Sequence, residues 1–194
     1  MREVKTRKLL KILALPLALL LVAVPLAYAG VIVSYPISGT VNYVAPTIVF
    51  EGGTNANQTG LGGNTISVTI GQNKTSATFS IHITYQTVEY HDILVIRNTD
   101  AANAYWVGFS ATTNLPAAVY NATLLITDDT GSKIASYDLL TGGWSGWLFQ
   151  LPANTTYHVN LIFKMSEGQR LPATPADISL KLYWSNSNTE TPFE

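Results

Sequence analysis

The chain has no cysteine, and only 12% of its 194 residues are charged. Without cysteine it has no disulfide staples, no thiolate zinc site and no thiol nucleophile. A charged fraction near half the usual figure of about 25% argues against a disordered, solvating chain and against a basic nucleic-acid binder. Histidine occurs only three times, and no HExxH motif is present. Helical periodicity is nearly absent, and no repeat of propeller or solenoid length is visible.

What is present begins with charge in one place. Five of the eleven lysines and arginines (Arg2, Lys5, Arg7, Lys8, Lys11) precede an uncharged apolar run, Ile12 to Ala29. A basic stretch, an apolar run and the small-x-small tripeptide Ala27-Tyr28-Ala29 before Gly30 form the layout of a secretory signal. A retained membrane anchor is the competing reading, because 18 residues just span a bilayer; Pro16, Pro25 and the cleavage tripeptide favour removal. Residues 1–29 are therefore expected to be a signal peptide cut between Ala29 and Gly30, with the mature chain extracellular or at the cell surface. That mature chain carries six lysines and arginines against eleven aspartates and glutamates, a formal charge of −5. Leu171-Pro172-Ala173-Thr174-Pro175 has proline where a sortase signal needs glycine, and no apolar span follows it.

Period-2 alternation dominates the remainder. Ala77, Phe79, Ile81, Ile83 and Tyr85 share one face, with Thr78, Ser80, His82 and Thr84 on the other. Tyr105–Ala111, Tyr157–Phe163 and Ile178–Trp184 repeat the pattern. Thr65–Ile70, Asp92–Arg97, Thr123–Thr127, Ile134–Leu139 and Trp147–Leu151 complete nine expected strands. Strands half-buried on one face need a second sheet to cover it, so the expected body is an all-β sandwich of jelly-roll or immunoglobulin-like type over residues 64–194.

A Gly-rich loop, residues 51–63, separates that body from residues 30–50, a segment with no charge at all. Val31, Ile32, Val33, Tyr35, Ile37, Val41, Tyr43 and Val44 are too apolar and too β-prone to be left in water without inviting aggregation. Two pairings satisfy them: a first strand of the chain's own sandwich, or insertion into the sandwich of a neighbouring copy. Thr47–Phe50 reads as intramolecular. For the stretch before it, Pro36 and Pro46 with the Gly-rich flank give an extended tail able to leave its own domain. Adding a strand to an open sheet supplies main-chain hydrogen bonds, and because donor and acceptor surfaces differ the contact runs head to tail into an open filament.

The leader ending Ala27-Tyr28-Ala29, the apolar Val31–Val44 and the strand pair around Tyr90–Thr99 and Ala104–Ser110 together resemble exported filament subunits of the TasA/camelysin-like class and the related archaeal bundling pili and thread filaments. The resemblance implies a jelly-roll sandwich whose N-terminal strand completes the next subunit. It also implies self-association as the principal partnership, with neighbouring filaments or cell-surface glycans as further partners and adhesion, bundling or biofilm matrix as the role. Protease activity attributed to the camelysin branch does not carry over, since the chain lacks HExxH.

Other chemistry is thinly represented, and neither a cofactor nor a metal is expected. Asn57, Asn73, Asn121 and Asn154 each begin an Asn-x-Ser/Thr triplet and are candidate N-glycan acceptors on surface turns. Gly143-Trp144-Ser145-Gly146 approximates a nucleophile elbow, but the GxSxG spacing fails at Trp147. Glu89 and His91 share a strand face, whereas His82 and His158 read as surface residues. Trp144 and Trp147 in a Gly-rich turn are the material for a sugar-stacking platform, if coplanar and exposed. An enzyme is not expected, and the alternative to a filament subunit is a monomeric cell-surface module that binds glycan or protein.

Overall fold

A computed structural model describes residues 44–58, 66–83, 87–169 and 174–192. Within them every regular element is a strand: β1 (Ile48–Gly52), β2 (Ile66–Ile70), β3 (Ser76–Ile81), β4 (Thr87–Asn98), β5 (Tyr105–Asn114), β6 (Val119–Thr127), β7 (Lys133–Asp138), β8 (Gly143–Trp144), β9 (Phe149–Leu151), β10 (Thr156–Met165) and β11 (Ala176–Ser185). All pairings are antiparallel. The first sheet runs β1-β4-β10-β6-β7; the second runs β2-β3-β11-β5-β8, with β9 also on β5.

Alternation in the sequence sets the faces. In β3, Ala77, Phe79 and Ile81 are buried while Thr78 is exposed; in β11, Ala176, Ile178, Leu180 and Leu182 alternate with exposed Asp177, Ser179 and Lys181. A one-residue slip would turn every one of those side chains to water, so burial itself fixes the register. The inner faces meet in one core around Phe50, Phe79, Phe109 and Phe163, all fully buried. Phe50 of the first sheet stacks on Phe109 of the second with ring centroids 6.3 Å apart, and Phe149 lies 6.3 Å from Phe109 on another side. Burying each such ring contributes about 1.5–3 kcal/mol.

All nine expected strands are present within a few residues, Thr84 and Tyr85 of the expected β3 lying outside the described residues, and Ile48–Phe50 of the expected Thr47–Phe50 strand lies in the chain's own sheet. The domain boundary shifts, however: Ile48–Gly52 pairs with β4 from Ile48↔Asn98 to Gly52↔Leu94. Among the described residues the first strand of the sandwich is therefore β1, ahead of residue 64, and Glu51 and Gly52 belong to β1 rather than to the Gly-rich loop. Ile48 and Phe50 explain the shift, because from a strand on β4 both are buried in the core.

Candidate functional site: the sheet edges

Of the residues expected to mediate assembly, Val31, Ile32, Val33, Tyr35, Ile37, Val41 and Tyr43 lie outside the described residues, as do the Ala29 and Gly30 of the expected cleavage site. Val44 is described. It is 80% exposed, four residues before β1 begins.

A structural partner would meet the sheet edges, because only there do backbone groups stand unpaired. On one side of the sandwich β1 and β2 are the edge strands, and both are capped. The Phe50 N–H, which points away from β4, donates to the Lys74 carbonyl at 2.7 Å. Asn57, at φ 59, lays its carboxamide along β2: its Oδ1 accepts the Val68 N–H at 2.7 Å and its Nδ2 donates to the Val68 carbonyl at 3.3 Å. A side-chain amide thus does what the peptide of a neighbouring strand would do. Asparagine suits this position because it tolerates the left-handed region better than any other residue except glycine. On the other side, β7, the two-residue β8 and the three-residue β9 are the edge strands.

The four sequons differ once folded. Asn57 has its carboxamide committed to Val68. Asn73 is exposed in the β2–β3 turn and accepts the Thr75 N–H at 3.2 Å. Asn154 is exposed at φ 49 in the turn before β10. Asn121 lies within β6 and is half-buried, not on a turn; its place opposite Lys164 in the ladder explains why.

Ser145 is a backbone surrogate. Its Oγ accepts the Phe109 N–H at 2.8 Å and donates to the Gly146 carbonyl at 2.7 Å, bridging the stretch of β5 between β8 and β9. Glu89 and His91 form an exposed pair at 3.4 Å. Among the described residues no group of three or more His, Asp or Glu side chains is placed to hold a metal ion.

His158 corrects its reading as a plain surface residue. It faces away from the core, but Asp92 from β4 and Asp129 from the β6–β7 turn close on its two ring nitrogens at 2.6 and 3.0 Å. Asp92 sits at φ 48 where the β4–β10 register shifts, and its carboxylate also takes the Thr54 N–H and hydroxyl. Buried Asn160 accepts the Asp92 N–H at 2.8 Å and donates to Thr127. β1–β2 loop, β4, β10 and β6–β7 turn are thereby tied at one point.

The tryptophans are not coplanar. Trp144 meets Trp147 at 88° and Tyr183 at 79°, ring centroids 5.2 and 5.3 Å apart. Trp144 lies over Gly108 on the outer face of the second sheet, and the Trp147 Nε1–H donates to the Glu190 carbonyl at 2.6 Å. Beside this cluster is an open groove of about 590 Å³, lined among others by Ser110, Thr112, Leu140, Thr141, Lys181 and Tyr183.

No protein-family model matches the chain, and no curated protein is significantly similar to it. The class the described residues define is an antiparallel β-sandwich with two capped edge strands on one side. Alternation alone could not have announced the caps, because Asn57 and Val68 are eleven residues apart in the sequence.

Proposed function

We propose that this chain is an exported structural subunit, a sandwich of jelly-roll or immunoglobulin-like type that polymerises head to tail into an extracellular filament by donating its apolar segment, residues 31–44, to the next copy. The observation that carries this reading is where the sandwich begins. Among the described residues both sheets and the common core are built from Ile48 onward, and Val44, on the approach to β1, is 80% exposed. The apolar stretch before it has a strong need for burial, and a second copy is the partner that satisfies that need repeatedly.

Negative-stain microscopy of the mature chain from Gly30, beside a chain starting at Thr47, tests the proposal. Filaments from the first and folded monomers from the second are expected. A monodisperse mature chain whose fold is lost on deleting residues 30–46 would overturn it.

The groove beside Tyr183 favours a second reading, a surface module for glycan or protein. Its hydroxyls and Lys181 suit a polar ligand, and binding on a glycan array without filament formation would select that reading.

A further inference from the structure

The proposed filament leaves open which edge receives the donated segment; the five edge strands, β1, β2, β7, β8 and β9, are not equivalent. The β1 edge is engaged at its centre by the Lys74 carbonyl, and the β2 edge has both backbone groups of Val68 taken by Asn57. β8 is two residues long, follows Gly142 at φ 59, contains Gly143 at φ 70, and has its Gly143 carbonyl occupied by the Tyr137 hydroxyl at 2.8 Å. β9 is three residues long, and its Leu151 carbonyl accepts the Asn98 Nδ2 at 3.3 Å. None of the four offers an incoming strand a run of ladder groups.

β7 does. The Leu139 N–H donates to the Ala122 carbonyl at 2.8 Å, so the residues in step with Leu139, Tyr137 and Ala135, direct their backbone groups toward β6. By the two-residue repeat of an antiparallel ladder, Ser136 and Asp138 direct theirs outward. Among the described residues, the Ser136 N–H and carbonyl and the Asp138 N–H have no strand beyond them; only the Asp138 carbonyl is taken, by Thr141. The outward side chains here are exposed Ser136 and Asp138, with Lys133 at the start of the strand. The chain leaving β7, Leu140 to Gly143, forms one wall of the 590 Å³ groove, and Leu140 is 43% exposed there. An apolar neighbour would cover it.

We infer that the outer edge of β7 is the acceptor, and that its occupant is the uncharged Val31–Tyr43 segment of a second copy. This rests on the filament reading above. The occupant's reach is sufficient: thirteen residues extended at about 3.3 Å each cover roughly 40 Å, twice the length of a six-residue strand. With β1 and β2 capped and β7 open among the described residues, the subunit is one-sided, so each copy accepts one strand in one place. That is the condition for a linear filament rather than a branched aggregate.

The absence of cysteine makes the test clean. Ser136→Cys is combined in the mature chain with cysteine at Val31, Ile32, Val33, Ser34, Tyr35 or Ile37 in turn, and Thr69→Cys on β2 replaces Ser136→Cys in a parallel set. After oxidation, a ladder of covalent multimers from at least one Ser136 pair and from no Thr69 pair is expected. Filaments that cross-link through Thr69, or through neither position, overturn the β7 assignment and leave the filament reading standing. A cross-link within a single chain overturns the second-copy occupant. Absence of filaments from the wild-type mature chain overturns both. Ser136→Pro gives an independent check: it deletes an N–H that its own sheet does not use, so an unchanged melting curve with loss of filaments is expected. Filaments from a folded Ser136→Pro chain count against β7.

Discussion

The Nδ1 atom of His158 and the Oδ1 atom of Asp92 lie 2.6 Å apart, while the other ring nitrogen of His158 faces Asp129 at 3.0 Å. Two carboxylates facing two ring nitrogens are both satisfied only by the imidazolium, because a neutral ring has a single N–H to donate. The hydrogen bond to Asp92 raises the pKa of His158 from its ordinary 6.5, opposed by partial burial and supported by Asp129. For Asp92, partial burial works upward and is outweighed by bonds from Thr54 and His158, leaving its pKa below the ordinary 3.8.

The sign of the pH effect follows. A raised histidine pKa contributes stability that is fully present below pH 6.5 and is lost as pH rises through the folded value; a lowered aspartate pKa contributes stability present above pH 3.8 and lost as pH falls through its folded value. The clamp is complete between those limits. Comparing urea denaturation of the wild type with His158→Gln, the stability difference should be largest near pH 5 to 6. It should shrink by on the order of 1 kcal/mol by about pH 9. Asp128 beside Asp129, the Glu51–Arg97 pair, 3.8 Å apart, and Lys133 are other charges placed near His158 by the ladder, and taking the difference between the two proteins removes their own contributions. A pH-independent difference would show that His158 acts by packing alone.

Asn57→Ala should have two separable consequences. The Val68 N–H and carbonyl lose their only side-chain partner, which costs on the order of 1 kcal/mol for groups that water can partly reach. The β2 edge is also opened to pairing, so the variant should associate laterally and scatter light at concentrations where the wild type does not. Amide exchange at Val68 should quicken. If stability falls while association and exchange do not change, the amide is not a cap on that edge.

The sequence discloses the sandwich far better than it discloses these contacts. Phe79, Ile178 and Leu180 announce their strands because burial on one face writes period 2 into the chain. β8 is missed because two residues among left-handed glycines carry no period. His158 is read correctly as facing outward from its alternation with Val159. Its partners Asp92 and Asp129 come from a register shift and a distant turn, which no local pattern encodes. Asn57 looks like a glycan acceptor in sequence and is an edge cap in the fold, for the same reason.

Asn98 anchors the loop between β4 and β5. It is fully buried, and its Nδ2 donates to the carbonyls of Asn103, Leu151 and Pro152 while its Oδ1 accepts the Asp100 N–H. Asn98→Leu should therefore cost about 2–3 kcal/mol, since the buried Leu151 carbonyl and the part-buried carbonyls of Asn103 and Pro152 all lose this donor. Chemical denaturation measures it. A loss under 0.5 kcal/mol, roughly that of a surface change, would mean that water replaces the amide.

Gly108 has a steric rather than a conformational reason to be glycine. A Cβ there would run into the Trp144 ring and the Gly146 carbonyl, both of which lie against its outer face. Trp144 in turn holds Trp147 and Tyr183 edge-on. Gly108→Ala must push the ring or the turn outward, and because the clash includes backbone, rotation of the indole alone does not relieve it. The expected signature is a red-shifted tryptophan emission with a loss of about 1–3 kcal/mol, the usual cost of overpacking. Trp144→Ala in the same background should recover part of that loss, because the added methyl then meets one obstacle instead of two. If the double variant is no more stable than Gly108→Ala alone, the indole is not what excludes a side chain at position 108, and the Gly146 carbonyl is the sole obstacle.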